Sequence, residues 1–576
     1  MKRRRHGLML GVSWLWASAL GGAPAQAQTA SQITPPSYAP ALERPATPVV
    51  IPQGPGVTAP PGSEALIVTL SGVRVDGLAI EPAELATLRE TLVGHPVSIA
   101  EIFATARALE TWFAASGRVL VRVSVPAQQL DNGAELRLVV TAGQIESVDT
   151  SNLPAPVRGR IAHMLAPLVG QSAVTMAAIE RRLLLAGDMP GVALRSTLAP
   201  GTTPGGTVLI VSADYRPVSG YLTLDNNLPR AFGGYALGLG VNFNTMLGLG
   251  ETIYLRASGF PNGGNGISVL DATPRNRALV GGVIVPLGTN GLTFNVEATD
   301  ARTAPRHDAL SLGTASKFQR VSARLAYPFI RRRALTVSGE LAFDTQREAV
   351  DAISPLRLPL SLDRMRIARA AGSVSGALAG GGSFLARLEA SVGIDGLGAR
   401  SAADATPLLL LSRQGADASF TKLELDVSLR QPMPAGFTIA INGRAQTAFG
   451  DALVNAEQIG LATLDGVSPL RSGTLQGDSG YVARAELARP IDAALGTGRA
   501  EIAPYLFGVA GNTHLARPTI FERRSTDVYA FGAGARFQLR TRRGAPGLST
   551  ALEWGRAHIE RAGNADRVTF TMITRF

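Results

Sequence analysis

The sequence predicts an exported membrane protein: a signal peptide, two small α+β modules in tandem, then a 16-stranded antiparallel transmembrane β-barrel. Three observations carry this. From about residue 218 onward, apolar and polar residues alternate in about sixteen runs, each long enough for a tilted strand to cross a bilayer. The connections between those runs alternate short and long. Ahead of them, residues 64–214 show one order of elements twice.

Residues 1–27 read as a secretory signal. Lys2, Arg3, Arg4 and Arg5 form the positive end, Leu8 to Leu20 the apolar stretch, and Ala25-Gln26-Ala27 a small-residue cleavage site, so the mature chain starts at Gln28. Residues 28–62 carry nine prolines and are expected as an extended linker that packs no core.

The first module spans 63–143. A β-like run from Leu66 to Val75 precedes a helix over 81–93 and a second over 99–116, where Ile102, Phe103, Ala106, Leu109, Trp112 and Phe113 recur at helical spacing. Gly117 stops that helix, and strands over 119–125 and 135–140 flank the turn signal Asp131-Asn132-Gly133. The second module, 144–216, repeats the order: a strand over 144–148, helices over 157–168 and 176–186, and strands over 192–198 and 207–213.

The barrel occupies 217–576. In its clearest run Thr421, Leu423, Leu425, Val427 and Leu429 share one face while Lys422, Glu424, Asp426, Ser428 and Arg430 share the other. Runs begin near 218, 234, 250, 277, 290, 318, 334, 360, 382, 417, 436, 478, 499, 527, 546 and 566. Short connections (near 245–249, 288–290, 330–333 and 431–436) and long ones (near 260–276, 301–317, 399–416 and 451–477) match periplasmic turns and external loops. An even strand count leaves no open edge in lipid. The chain ends on Phe576, with Met572 and Phe570 on the same face, like the terminal strand by which bacterial barrels are recognised for insertion. The barrel assembly machinery is therefore an expected partner. No stretch offers the ~20 apolar residues that a membrane helix needs beyond the signal.

The absence of cysteine excludes disulfides and Cys-ligated zinc. The net charge is +11, of which Lys2 to Arg5 account for four, leaving +7 on the mature chain. In an exported protein that balance suits outer-membrane lipid headgroups and a cationic pore lining better than nucleic acid. The six histidines lack metal-ligand spacing, and no P-loop or dinucleotide motif occurs, so neither metal nor cofactor is expected. Gly477-Asp478-Ser479-Gly480 looks like the nucleophile segment of chymotrypsin-like proteases, but His307-Asp308 falls in a predicted external loop. The start of a strand is the better reading, and no enzyme activity is expected.

Residues 28–576 resemble two-partner secretion transporters, the haemolysin secretion/activation proteins, barrels preceded by POTRA domains. Gly220-Tyr221-Leu222-Thr223-Leu224-Asp225-Asn226 is similar to the family's first barrel strand, and Leu247-Gly248-Leu249-Gly250-Glu251 to the turn before its third. The stretch Ala456 to Leu487 is the most specific: Ala456-Glu457-Gln458-Ile459 opens it, and Gly477-Asp478-Ser479-Gly480 and Arg484-Ala485-Glu486-Leu487 close it. Between them Leu470-Arg471-Ser472-Gly473 stands where the family carries Val-Arg-Gly-aromatic, at the tip of a loop that folds into the pore. The family's wall motif Phe-x-Asp-x-Gly here reads Phe507-Gly508-Val509-Ala510-Gly511, so Val509 replaces the carboxylate that would meet the loop arginine.

The resemblance implies two POTRA-like domains in the periplasm, a barrel in the outer membrane, and export of an unfolded partner exoprotein of haemolysin or adhesin type. By parity the lumen partners open to Arg471 are Glu486 and Glu501, with Arg484 and Asp478 close by in sequence. A barrel-assembly factor of the same superfamily and a passive porin are the alternatives. The first would carry more modules and a weak seam, and the second needs no module at all.

Overall fold

The computed structural model describes residues 29–34 and 58–576, apart from 78–83, 173, 204, 264–265, 268–270, 272, 308–311, 496–497 and 542–546. The predicted signal lies outside the described residues.

In the first module the helices Glu84–Leu92 and Ile99–Ala115 cover a three-stranded sheet ordered Gly72–Asp76, Glu135–Thr141, Arg122–Ser124, its first pair parallel. The longer helix starts in a capping box: Glu101 N–H donates to Ser98 Oγ at 3.2 Å and Ser98 N–H to the Glu101 carboxylate at 2.6 Å. It buries Ile102, Ala106, Leu109 and Phe113 against Leu136, Leu138 and Val140. The run expected over Leu66–Val75 is two short strands, not one. Ile67–Val68 pairs with Val97–Ser98, and Gly72–Asp76 with the central strand. The Asp131–Gly133 turn causes the break, because Thr69 N–H donates to Asn132 Oδ1 at 2.9 Å and the Thr69 carbonyl accepts from Gly133 N–H at 2.7 Å.

The second module repeats this plan with helices Ala155–Leu165 and Met176–Gly187 on strands Gln144–Asp149, Gly206–Tyr215 and Val192–Pro200. It rests on the short barrel turns. Arg331 Nη2 meets Asp188 at 2.6 Å, Arg181 donates to the Pro328 carbonyl at 3.0 Å and Arg182 to that of Thr289 at 3.2 Å. The end of the barrel that carries the short turns is therefore the end that faces the modules.

Sixteen antiparallel strands close the barrel: Val218–Asp225, Ala236–Asn244, Thr252–Gly259, Asn276–Leu287, Leu292–Thr303, Gly313–Arg331, Leu335–Ser354, Leu358–Ala377, Ser383–Gly393, Thr421–Pro432, Thr438–Thr447, Ser479–Leu495, Gly498–His514, Ser525–Thr541, Gly547–Ile559 and Gly563–Arg575. The twelfth is interrupted between Ala488 and Ile491, where Pro490 has no N–H to donate. Leu255, Val321, Leu341, Leu506 and Leu552 lie exposed on the outside, whereas Glu297, Asp344, Glu348, Arg484 and Glu553 are buried inside. Apolar outside and charged inside is what a lipid solvent selects. At the seam Phe576 exchanges both backbone hydrogen bonds with Gly220, at 2.9 and 3.0 Å. The aromatic ring lies over Gly220, and a Cβ there would stand 2.6 Å from it.

Candidate functional site: the lumen and its inward loop

Residues 448–478 leave the eleventh strand and fold into the lumen. Their scaffold is a small hairpin, Ile459–Gly460 paired with Gln476–Gly477. Ile459, Leu461, Val467, Leu470 and Leu475 pack onto Val482, Tyr505, Phe507, Val509 and Val528 of the wall. Val509, where the family pattern has a carboxylate, is thus part of an apolar seat for the loop. Gly473, at φ 77°, closes the tip turn, in which Thr474 N–H donates to the Arg471 carbonyl at 3.2 Å.

Two buried polar clusters fasten the loop from opposite sides. Glu457, on the entering limb, accepts from Arg369 at 2.7 Å and Gln346 at 2.9 Å and forms an ion pair with Lys422 at 2.9 Å. Arg369 also meets Asp344 at 2.7 Å. On the far side Arg484 lies between Glu486, at 2.7 Å, and Glu553 and donates to Ser468 Oγ at 2.7 Å. Ser468 donates in turn to Glu553 Oε1, and Tyr505 donates to Glu553 at 2.8 Å. The Arg484 guanidinium stacks 3.9 Å from the Phe507 ring centre. Asp478 closes the loop, accepting from Leu453 N–H at 3.1 Å, Gln458 at 3.0 Å and Ala516 N–H at 2.9 Å. Ser479 begins the twelfth strand and accepts from Ala448 N–H at 3.0 Å.

The pairing expected for Arg471 is not made. Arg471 donates to the Leu228 carbonyl in the first external loop, and among the described residues it forms no ion pair. Glu486 is already engaged by Arg484 and Arg536. Glu501 sits opposite Asp492 and Gln538, at the end of its strand remote from the loop. Parity placed both glutamates on the correct face but carried no information on height along the barrel. Ser472 N–H donates to the Asn227 carbonyl at 3.2 Å, and Arg567 bridges Asn227 Oδ1, at 3.0 Å, to the Leu470 carbonyl, at 2.7 Å. The tip is therefore held to the seam loop by neutral acceptors. Glu457, Arg369, Lys422, Glu553 and Arg567 were not singled out from the sequence. Glu457 lay inside a quoted motif, and that position was the available signal.

A second segment shares the lumen. Residues 29–34, expected within a linker that packs nothing, are docked there. Ala30 is fully buried with Ala278, Ala301 and Phe318. Ala30 N–H donates to Ser316 Oγ at 3.0 Å, and Ser31 donates to both oxygens of Glu348, at 3.0 and 2.7 Å. Small side chains let this turn, Ser31–Ile33, fit a polar wall that a proline-dominated reading could not foresee.

Residues 205–537 match the family described as haemolysin secretion/activation protein ShlB/FhaC/HecB, and residues 68–143 match the POTRA domain, ShlB-type. Among curated relatives, the outer membrane transporter CdiB of Escherichia coli O6:K15:H31 is 25% identical over 262 residues, 45% of this chain and 42% of that one. The heme/hemopexin transporter protein HuxB of Haemophilus influenzae (strain 86-028NP) is 22% identical over 174 residues, 30% of this chain and 31% of the relative. The matched stretches thus span less than half of these relatives. The fold is similar to that of CdiB from Escherichia coli (TM-score 0.67, 18% identity, 93% of this chain and 94% of that one) and of CdiB from Acinetobacter baumannii (TM-score 0.57, 14% identity, 93% and 95%). With a POTRA-type module ahead of a closed 16-stranded barrel, the chain belongs to the haemolysin secretion/activation (ShlB/FhaC/HecB) family of outer-membrane two-partner secretion transporters.

Proposed function

We propose that this transporter takes an unfolded partner exoprotein from the periplasm and passes it through the barrel to the cell surface. The domain limits we assign are 63–143 and 144–216 for the two modules and 217–576 for the barrel. The observation that carries the reading is a lumen occupied by two inserted segments, the 448–478 loop and residues 29–34, above modules with open sheet edges. A passive porin has no use for either. No nucleotide is available outside the inner membrane, so direction comes from folding of the substrate outside.

Capture is assigned to the first module. Its edge strand Arg122–Ser124 is paired on one side only. Beside it an apolar groove of about 390 Å³ runs between Ile67, Phe103, Val125 and Leu130. Strand addition to such an edge uses main-chain hydrogen bonds, which tolerate varied sequence, while the groove selects side chains. The test is deletion of residues 64–214. Secretion of its exoprotein substrate should stop while the barrel remains inserted and heat-modifiable. Undiminished secretion by the truncated form would overturn the receptor role.

A further inference from the structure

We propose that the outer wall of the barrel carries a binding site for the phosphate groups of a phosphorylated glycolipid, the lipid A type of molecule that forms the outer leaflet of such membranes. Strands Gly313–Arg331, Leu335–Ser354 and Leu358–Ala377 are neighbours and are the longest in the barrel. From the turn at 332–334 upward their outward positions are apolar: Phe329, Leu325 and Val321 on one strand, Val337 and Leu341 on the next. Val321, Leu325 and Leu341 are 50%, 41% and 62% exposed, as lipid-facing residues should be.

Above that band the same outward face turns cationic. Register places Gln319 opposite Arg347 and Arg347 opposite Arg364, with Thr345 opposite Arg366. Val321 pairs with Thr345, so these side chains continue the lipid-facing row rather than the lumen row. From Leu335 to Arg347 is twelve residue steps. At ~3.3 Å per residue and a tilt of ~40° that is a rise of roughly 30 Å, just beyond an apolar band of ~25 Å. The arginines therefore stand at headgroup level in the leaflet farther from the periplasmic modules, which rests on the outer-membrane location established above.

Like charges facing each other across a strand pair repel. Among the described residues neither Arg347 nor Arg364 forms an ion pair, and both are exposed. The adjoining cations Arg277 and Arg302 are both paired with Asp300, at 2.8 and 3.0 Å. Arg366 donates to the Leu397 and Met365 carbonyls, at 3.0 and 2.9 Å, and among the described residues it is paired with no carboxylate. Between Gln319, Arg347, Arg364, Arg366 and Gly398 lies a cavity of about 390 Å³, large enough for a phosphate group on a sugar. Two planar guanidinium forks converging on one cavity suit phosphate oxygens, which would also relieve the repulsion between them.

The test is native mass spectrometry of the full-length barrel purified in mild detergent, titrated with bis-phosphorylated lipid A, with its dephosphorylated form and with phosphatidylglycerol. Wild type should retain the phosphorylated glycolipid and bind the dephosphorylated form at least about tenfold more weakly. Arg347→Gln and Arg364→Gln should each weaken retention by about fivefold, and Arg347→Lys with Arg364→Lys should retain more than the double glutamine variant but less than wild type. Equal retention by the double glutamine variant, by the dephosphorylated lipid or of phosphatidylglycerol would overturn the site. Both positions face outward, so heat-modifiable mobility and outer-membrane fractionation report folding and location separately from glycolipid retention.

Discussion

Glu457→Gln should release the loop from the lumen. The carboxylate is buried and holds Arg369, Lys422 and Gln346 together. Removing one member of a buried ionic cluster leaves the others without compensation and costs ~3–5 kcal/mol. Here Arg369 retains Asp344, and the amide can still accept one hydrogen bond, so the lower end, ~3 kcal/mol, applies. That energy corresponds to about a hundredfold shift toward the loop-out state. The assay is single-channel conductance of the purified barrel in a planar bilayer, where an emptied lumen passes more current and opens more often. Arg369→Gln should act alike, and Glu457→Gln with Arg369→Gln should lose less than the sum of the two, because the residues share one interaction. Wild-type conductance in Glu457→Gln, or strict additivity of the pair, would refute a carboxylate tether.

Arg471→Ala should shift the loop by only about tenfold, since a single hydrogen bond to the Leu228 carbonyl is lost, and its effect on secretion should add to that of Glu486→Gln, because the two residues share no interaction. A disulfide between cysteines placed at Leu224 and Met572, which face each other across the seam, should leave secretion intact, whereas a barrel-assembly factor that opens this seam would be blocked. Val509→Asp should lower the thermal midpoint of heat modification, because its carboxylate faces Arg484 across the strands and makes a third acid around that arginine, and adding Glu553→Gln should restore part of the loss. In the second module, hydrogen bonds from Thr202 and Thr203 hold the Glu146 carboxyl down to about 2, so their contribution is present above its ordinary range near 4.5 and is lost as pH falls through about 2. The Thr202 and Thr203 amide resonances should move over that window and should already be displaced at neutral pH in Glu146→Gln.

Most of the architecture was legible because a bilayer imposes period two over long stretches. All sixteen strand starts lie within five residues of their expected positions. The helices were legible for a similar reason: Ile102, Ala106, Leu109 and Phe113 repeat at the period of a buried stripe. Misreadings fell where contacts join residues distant in sequence. Thr69 is diverted by Asn132, and nothing local in Leu66–Val75 announces it. Ala30 and Ser31 are unremarkable in a proline-rich stretch until Ser316 and Glu348 are brought beside them.

The tether is the sharpest case. Substituting Val509 for an acid does not loosen the loop. Here the wall supplies a charged anchor. Arg484, on the strand directly opposite Val509, holds the loop through Ser468, and Glu486 and Glu553 supply the negative charge that Arg484 requires. With Arg536 on Glu486 at 2.5 Å, this cluster contains two cations and two anions, which is why it can be buried. A carboxylate at 509 would upset that balance, and a valine there instead adds apolar contact to the loop. Once the wall carries its own arginine, the loop arginine needs no acid, and Arg471 is free to use a backbone carbonyl. Reading the motif residue by residue therefore located the loop correctly and misassigned its anchor, because the anchor is a property of four strands and not of the motif.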